Sequence, residues 1–170
     1  MKKFLIIVLI LVLSPLSTYA DLRWEKTDFT VYITQNPKMY IMKKAFGRWQ
    51  SATNRFVTFK FVDNPNNADM SADFVEQLPG QAVGICRTEY KTLAGEPVEI
   101  LKADIQLANK NLYKRILTDD EYYRVMLHEI GHALGLPHSE KLNSIMKPYS
   151  NEIINISIDD RKALKELYKK

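Results

Sequence analysis

All three histidines of this chain lie within an eleven-residue stretch, at His128, His132 and His138. Three neutral imidazoles are a common ligand set for a catalytic zinc, which keeps a fourth position for water. Because His128 and His132 are four residues apart, a helix places them on one face, one turn apart. Gly135 follows, and a glycine just past a helix reverses the chain, which brings His138 back toward the same ion. The stretch therefore predicts a zinc site.

Glu129 lies beside the first predicted ligand and is not needed to complete the set, so it is placed to act on water at the metal. The pattern H-E-x-x-H alone often arises by chance, and a salt-bridge role for Glu129 is the alternative. The extended pattern H-E-x-x-H-x-x-G-x-x-H, in a chain with no other histidine, is far more specific. On this pattern the chain resembles the metzincin clan of zinc endopeptidases.

The first twenty residues have the organisation of a secretory signal peptide. Lys2 and Lys3 precede an unbroken apolar run over residues 4–13, and small residues stand at positions 18 and 20. A membrane anchor is the alternative, but ten apolar residues in a helix span only about half of a bilayer core. We therefore predict a signal peptide at 1–20, one catalytic domain at 21–170, and a secreted protein with no stable membrane span.

Charge and cysteine content argue against a nucleic-acid-binding protein and against a disulfide-bonded domain. The net charge of +4 includes Lys2 and Lys3, and no block of Lys or Arg suggests nucleic-acid binding. Cys86 is the single cysteine, so no disulfide can form within the chain. A small buried apolar role for Cys86 is favoured over that of a reactive thiol. We expect a monomer whose partners are protein or peptide substrates in extended conformation.

Hydrophobic periodicity predicts an α+β domain with strands before and after a first helix, then the histidine-bearing helix, a loop and a closing helix. The predicted strands cover residues 22–34, 57–62, 69–75, 81–89 and 98–107. Asn36 and Pro37 are typical of a helix start, and Thr118 with Glu121 forms a capping box that opens the histidine-bearing helix. The last helix opens at residue 157, and its predicted inward face is Ala163, Leu164, Leu167 and Tyr168.

Further motifs narrow the resemblance to the matrixins, the matrix-metalloproteinase family. Met146 lies in the segment N-S-I-M-K-P-Y, which resembles the methionine turn that metzincins carry beneath the metal, and Ser139 after the third histidine is similar to matrixins. Weaker matches are Leu22-Arg23-Trp24, Ala103-Asp104-Ile105, Asp159-Asp160 and Leu167-Tyr168. The resemblance implies a minimal catalytic domain with a twisted mixed sheet of about five strands, an active-site helix and a C-terminal helix.

The resemblance also implies the reaction. His128, His132 and His138 would hold Zn²⁺, and Glu129 would act as general base on a zinc-bound water to hydrolyse internal peptide bonds. Met146 would be a hydrophobic floor and not a ligand. Two alternatives stay open, a secreted zinc-binding module without turnover and a peptidase of another metzincin family.

The chain departs from animal matrixins in several ways. They bind a second, structural zinc through further histidines, which this chain lacks, so we predict a single zinc. No long prosegment with a zinc-blocking cysteine separates the predicted signal peptide from the first predicted strand, so we expect latency to be absent or to rest on a few residues after Asp21. Asp69 and Asp104 fall where the family places calcium-binding aspartates, and turn residues at strand ends are the alternative.

Five residues are predicted substrate contacts from the resemblance. Val83 and Gly84 resemble the edge strand that pairs with an extended peptide. Pro148 and Tyr149 resemble the outer wall of the pocket after the scissile bond. Arg124, one helical turn before the first histidine, falls where the family lines this pocket, and an arginine there would shorten it. A solvated arginine is the alternative. We expect a preference for medium-sized apolar residues after the cleaved bond.

Overall fold

The computed structural model describes residues 22–93, 96–148 and 155–169, so the predicted signal peptide and Tyr149 lie outside the described residues. Within these ranges, five strands form one sheet: β1 Asp28–Ile33, β2 Thr58–Val62, β3 Met70–Val75, β4 Gly84–Leu93 and β5 Glu96–Ala108. Their order is β2-β1-β3-β5-β4, and β4 runs antiparallel to β5 while the other neighbours are parallel. The predicted mixed sheet is confirmed, with β4 at one edge.

The helices of the described residues are α1 Met39–Ala52, α2 Asp119–Ala133 and α3 Ile158–Leu167. None of them is both long and apolar enough to cross a bilayer. The aromatic face of α1 is core, since Phe46 and Trp49 are fully buried. The indole N–H of Trp49 also donates to the carbonyl of Leu127 at 2.9 Å, which fixes α1 against α2. Burial of each such side chain contributes about 1.5–3 kcal/mol, so α2 has a rigid support.

Several predicted element bounds are wrong. The first strand begins at Asp28, because residues 22–27 make only an isolated bridge between Arg23 and Glu99. Helix α1 begins at Met39, because the side chain of Asn36 accepts the N–H of Lys38 at 2.8 Å and forms a turn ahead of the helix. The fourth strand runs over Gly84–Leu93 and not over 81–89.

The last helix confirms its predicted start but only part of its predicted inward face. Ser157 caps α3 in a capping box with Asp160, whose carboxylate returns the hydrogen bond. Leu164 is fully buried, and Asp160, four residues earlier on the same face, is buried with it. Ala163 is exposed, so the prediction that it packs inward is wrong, since the helix turns that position away from the core.

The predicted start of α2 is also confirmed. The Thr118 hydroxyl accepts the N–H of Glu121, and the Glu121 carboxylate accepts the N–H of Thr118 at 2.8 Å. The far end of α2 is held by side chains from other parts of the chain. Trp24 Nε1 donates to the carbonyl of Ala133 at 2.7 Å. The hydroxyl of Tyr168 donates to the carbonyl of Leu134 at 3.0 Å. Both ends of the helix therefore have partners for backbone groups that a helix leaves unpaired.

Candidate active site

Helix α2 carries three of the four residues predicted as zinc ligands or general base, His128, Glu129 and His132. The two histidines lie on one face of the helix, as their spacing predicts, with ring centroids 4.7 Å apart. Glu129 projects from an adjacent position and is buried, with 7% of the residue exposed. The helix therefore presents two imidazoles and a carboxyl group at its C-terminal half.

A glycine turn reverses the chain directly after α2. Gly135 has a φ of +97°, and its N–H donates to the carbonyl of His132 at 2.9 Å. The N–H of Leu136 donates to the carbonyl of Gly131, also at 2.9 Å. These two bonds together form a Schellman motif, which needs a left-handed residue at the position of the glycine. The turn occurs where the sequence predicts it and directs His138 back toward α2.

The three imidazoles meet at one point. The Nε2 atom of His128 lies 3.1 Å from that of His132 and 3.3 Å from that of His138. A tetrahedral zinc with bonds of about 2.0–2.1 Å needs nitrogens about 3.3 Å apart, so the spacing fits this ion. Among the described residues, these three form the one group of three or more His, Cys, Asp or Glu close enough to hold a metal ion.

Backbone carbonyls orient both helical imidazoles through the ring nitrogen that faces away from the cluster. The Nδ1–H of His128 donates to the carbonyl of Ile145 at 2.8 Å, and that of His132 donates to the carbonyl of Leu136 at 2.8 Å. A proton on Nδ1 leaves the lone pair of Nε2 free for a metal. Burial lowers the pKa of all three histidines, that of His132 to about 3. The rings are therefore neutral at neutral pH, as zinc requires.

The carboxyl group of Glu129 lies in a water-poor environment beside the cluster. Burial raises its pKa to about 8, and the backbone N–H of Cys86 opposes part of that rise. A carboxyl group with a pKa close to neutral can both accept and release a proton under ordinary conditions. The arrangement can therefore do general acid–base chemistry next to a metal.

Met146 packs against the helix between the two helical histidines. It is 2% exposed, and a Cβ added at Gly131 would lie 2.2 Å from its sulfur. Gly131 thus leaves the space that the methionine fills, since any side chain there would collide with the sulfur. The sequence predicts the methionine floor, but it gives no sign that Gly131 makes room for it.

Asp160 ties the segment that carries Met146 to helix α3. Its carboxylate accepts hydrogen bonds from the hydroxyl of Ser144, from the N–H of Ile145 at 3.0 Å and from the N–H of Ser157 at 2.7 Å. Asp160 is 3% exposed, so these bonds compensate a buried charge. Since the carbonyl of Ile145 orients one of the predicted zinc ligands, Asp160 supports the site from outside it. Sequence reasoning missed this role, because the local pattern marks only a helix start at residue 157 and a weak family match at Asp159-Asp160.

Four of the five predicted substrate contacts lie within the described residues. Gly84 begins the edge strand β4 and contacts Glu129, and Val83 directly precedes it. Arg124 is half-buried on α2, one turn before the first histidine, and Pro148 is half-buried shortly after the methionine. Tyr149 lies outside the described residues. The part these residues play in substrate binding stays a prediction.

The remaining residues that the sequence singles out have partners within the protein. Asp69 accepts hydrogen bonds from Lys26 Nζ at 2.6 Å and from the N–H of Thr30 at 2.7 Å. Asp104 accepts one from the hydroxyl of Ser71. Cys86 is half-buried against the core, and burial raises the pKa of its thiol well above the ordinary value. A thiol of raised pKa is a poor nucleophile, which agrees with the apolar role expected for Cys86.

The sequence is similar to metalloproteinases of one family. Residues 18–169 match the model of the matrixin family. Metalloendoproteinase 1-MMP of Arabidopsis thaliana is 26% identical over 159 residues, which cover 89% of this chain and 42% of that protein. A putative matrix metalloproteinase of Heliothis virescens ascovirus 3e is 25% identical, covering 87% of this chain and 34% of that protein. Interstitial collagenase of Sus scrofa is 26% identical, covering 86% and 33% respectively. This chain thus spans less than half the length of these relatives.

Proposed function

Because this chain belongs to the matrixin family, we propose that it is a zinc-dependent endopeptidase that hydrolyses internal peptide bonds of proteins. The observation that carries the proposal is the meeting of three Nε2 atoms beside a buried carboxyl group. The nitrogens are 3.1 and 3.3 Å apart, their rings are oriented by carbonyls, and the carboxyl belongs to Glu129. We propose His128, His132 and His138 as the zinc ligands and Glu129 as the catalytic residue.

In the proposed hydrolysis, Glu129 and Met146 have separate roles beside the zinc. Bound zinc supplies a Lewis acid that acidifies water and polarises a scissile carbonyl. Glu129 accepts the proton of the attacking water and passes it to the leaving amine. Its burial supports this role, because desolvation raises the pKa of a carboxyl group and so makes it a stronger base. Met146 is buried against Gly131 of the same helix and supports it as an apolar neighbour.

Features expected from the sequence complete the proposal. The signal peptide at 1–20 leads to secretion of a monomeric enzyme with a single zinc. Asp69 and Asp104 already have hydrogen-bond donors within the protein, so they support calcium binding only weakly. Substrates bind in extended form along the free edge of β4, through backbone hydrogen bonds that do not select a sequence.

We expect the pocket after the scissile bond to accept medium-sized apolar residues. The family resemblance assigns Pro148 and Tyr149 to its outer wall and Arg124 to its depth. A peptide library cleaved by the enzyme and read by mass spectrometry measures this preference. With Arg124→Ala, we expect substrates with a larger apolar residue after the scissile bond to gain at least about tenfold in kcat/KM, since room for one methylene group is already worth about 10–200-fold. A profile dominated by large aromatic or charged residues in the wild type contradicts the proposed pocket.

Removal of the metal tests the proposed function directly. We expect casein hydrolysis to stop with 1,10-phenanthroline and to continue with 1,7-phenanthroline, a matched isomer that does not chelate. Added Zn²⁺ should restore activity, and Ca²⁺ alone should not. The new termini of the products, sequenced by mass spectrometry, should come from internal bonds. A purified protein that holds one zinc per chain and cuts no protein would instead indicate a zinc-binding module without turnover.

A further inference from the structure

The free edge of the sheet passes beside the carboxyl group of Glu129. In the described residues, strand β4 pairs on one side only, with β5. The N–H of Ala108 donates to the carbonyl of Val83 at 2.9 Å, and hydrogen-bonded pairs alternate along an antiparallel ladder. Gly84 and Cys86 therefore direct their backbone groups away from β5, toward the free edge.

Gly84 leaves space that Glu129 fills. A Cβ at position 84 would lie 2.7 Å from Oε1 and 2.8 Å from Cγ of Glu129. It would also lie 2.5 Å from Cγ1 of Val125, one helical turn earlier on α2. All three distances are under 3.0 Å, which real Cβ atoms essentially never show, so a side chain at position 84 would displace the carboxyl group, the valine or the strand.

The usual backbone reasons for a glycine in a strand do not apply to Gly84. Its φ is not among the positive values of the described residues, so other residues could adopt its conformation. The register shifts of β4 lie at Glu89/Tyr90 and Lys91/Thr92, so no bulge occurs at Gly84. What remains is close approach, the other common reason for a glycine inside a strand.

We propose that Gly84 is a positioning residue for Glu129, because its missing side chain lets the edge strand lie against the carboxyl group and fix its direction. The inference rests on the proposed peptidase function, in which Glu129 is the base. The backbone N–H of Cys86, on the same free edge, also donates a hydrogen bond to the carboxyl group. The strand proposed to hold the substrate is thus also the strand that orients the base.

The test separates displacement of Glu129 from the collision with Val125. Val125→Ala removes the Cγ1 atom that a Cβ at position 84 would meet. When Gly84→Ala is added to this variant, the new Cβ still meets the side chain of Glu129. We expect this double variant to have a kcat at least about tenfold below that of Val125→Ala, with KM within about twofold, since misplacing a reacting group lowers the rate of the chemical step. Zinc content should stay at one per chain. Gly47→Ala is the matched control, because a Cβ there meets no atom within 4 Å, and its kcat should match wild type.

A rescue and a structure give two further readouts. Glu129→Asp withdraws the carboxyl group by one methylene group and so relieves the contact with a side chain at position 84. The fold-loss in kcat caused by Glu129→Asp should therefore be at least about fivefold smaller in the presence of Gly84→Ala than in its absence. Additivity of these two changes would overturn the proposal, because uncoupled sites do not share a contact. A crystal structure of the zinc-free double variant should show the Glu129 carboxyl group turned away from position 84.

Two outcomes of the kinetics would also overturn the proposal. One is an equal kcat with and without Gly84→Ala in the Val125→Ala background. The other is a raised KM with unchanged kcat, which would mean that the strand has moved while the base has not. If the wild type is active, either result refutes the positioning role of Gly84 and leaves the proposed peptidase function intact. A wild type that holds zinc and hydrolyses nothing refutes the proposed function itself.

Discussion

Replacing Glu129 by glutamine is expected to lower kcat for protein hydrolysis by about 10²–10⁴-fold, the range that a well-placed general base contributes. The amide keeps the size of the side chain and fills the same buried space beside Gly84. It cannot accept a proton from water, so the attacking water loses its base. We expect KM within about threefold of wild type and one zinc per chain, because the glutamate is not among the proposed ligands.

Glu140→Gln is the matched control for this charge change. Glu140 is exposed, lies two residues after His138 and opposes the lowering of that histidine's pKa by burial, so its removal changes the local charge while Glu129 stays in place. Its kcat should stay within about twofold of wild type, because exposed charges are strongly screened. Steady-state kinetics on a quenched peptide and zinc analysis of all three proteins give the comparison. If Glu129→Gln retained full kcat, the residue would be structural and another base would be required.

Asp160→Ala is expected to destabilise the protein by about 3 kcal/mol or more and to weaken zinc binding. The substitution removes three hydrogen bonds to a buried carboxylate, each worth about 1.5–3 kcal/mol and not fully additive. It leaves the N–H groups of Ile145 and Ser157 without their acceptor. Because the Ile145 carbonyl then loses its fixed place, His128 loses its orienting partner, and loss of such partners lowers metal affinity by about 10–100-fold.

Asp159→Asn and Asp160→Asn are the controls for the loss of stability expected in Asp160→Ala. Asp159→Asn removes an exposed ion pair with Lys141 at 3.0 Å, so its effect on the free energy of unfolding should be below about 1 kcal/mol. Asp160→Asn keeps one acceptor oxygen, so its cost should fall between those of the other two variants. Urea denaturation of the zinc-free proteins gives stability, and competition with a fluorescent chelator gives zinc affinity. If Asp160→Ala proved no more costly than Asp159→Asn, the proposed support of the site through α3 would be wrong.

The cluster of three histidines could be foreseen because everything that builds it is local. Eleven consecutive residues contain a helical pair, a glycine that reverses the chain and the third ring, so spacing and turn chemistry are sufficient. The starts of α2 and α3 were predictable for the same reason, since each capping box spans four residues. Asn36 shows the limit of such rules, because its side chain forms a turn before α1 where the pattern predicts a cap.

The support around the cluster could not be foreseen, because it joins distant parts of the chain. The carbonyl of Ile145 lies seventeen residues after His128, and Gly84 precedes Glu129 by more than forty. A carbonyl has no sequence signal, since each residue carries one. An isolated glycine in a predicted strand indicates close approach of something, but only the fold shows what approaches.

The carbonyls of Ile145 and Leu136 set the direction of two imidazole rings through contacts that need no ion. The direction of those rings is therefore set in part by the fold itself, so little ring freedom would remain to be lost when the proposed zinc binds. Any change that loosens the segment after His138, even far from the histidine cluster, should appear first as faster dissociation of the proposed zinc. The rate of zinc loss would thus report how firmly the segment after His138 is packed.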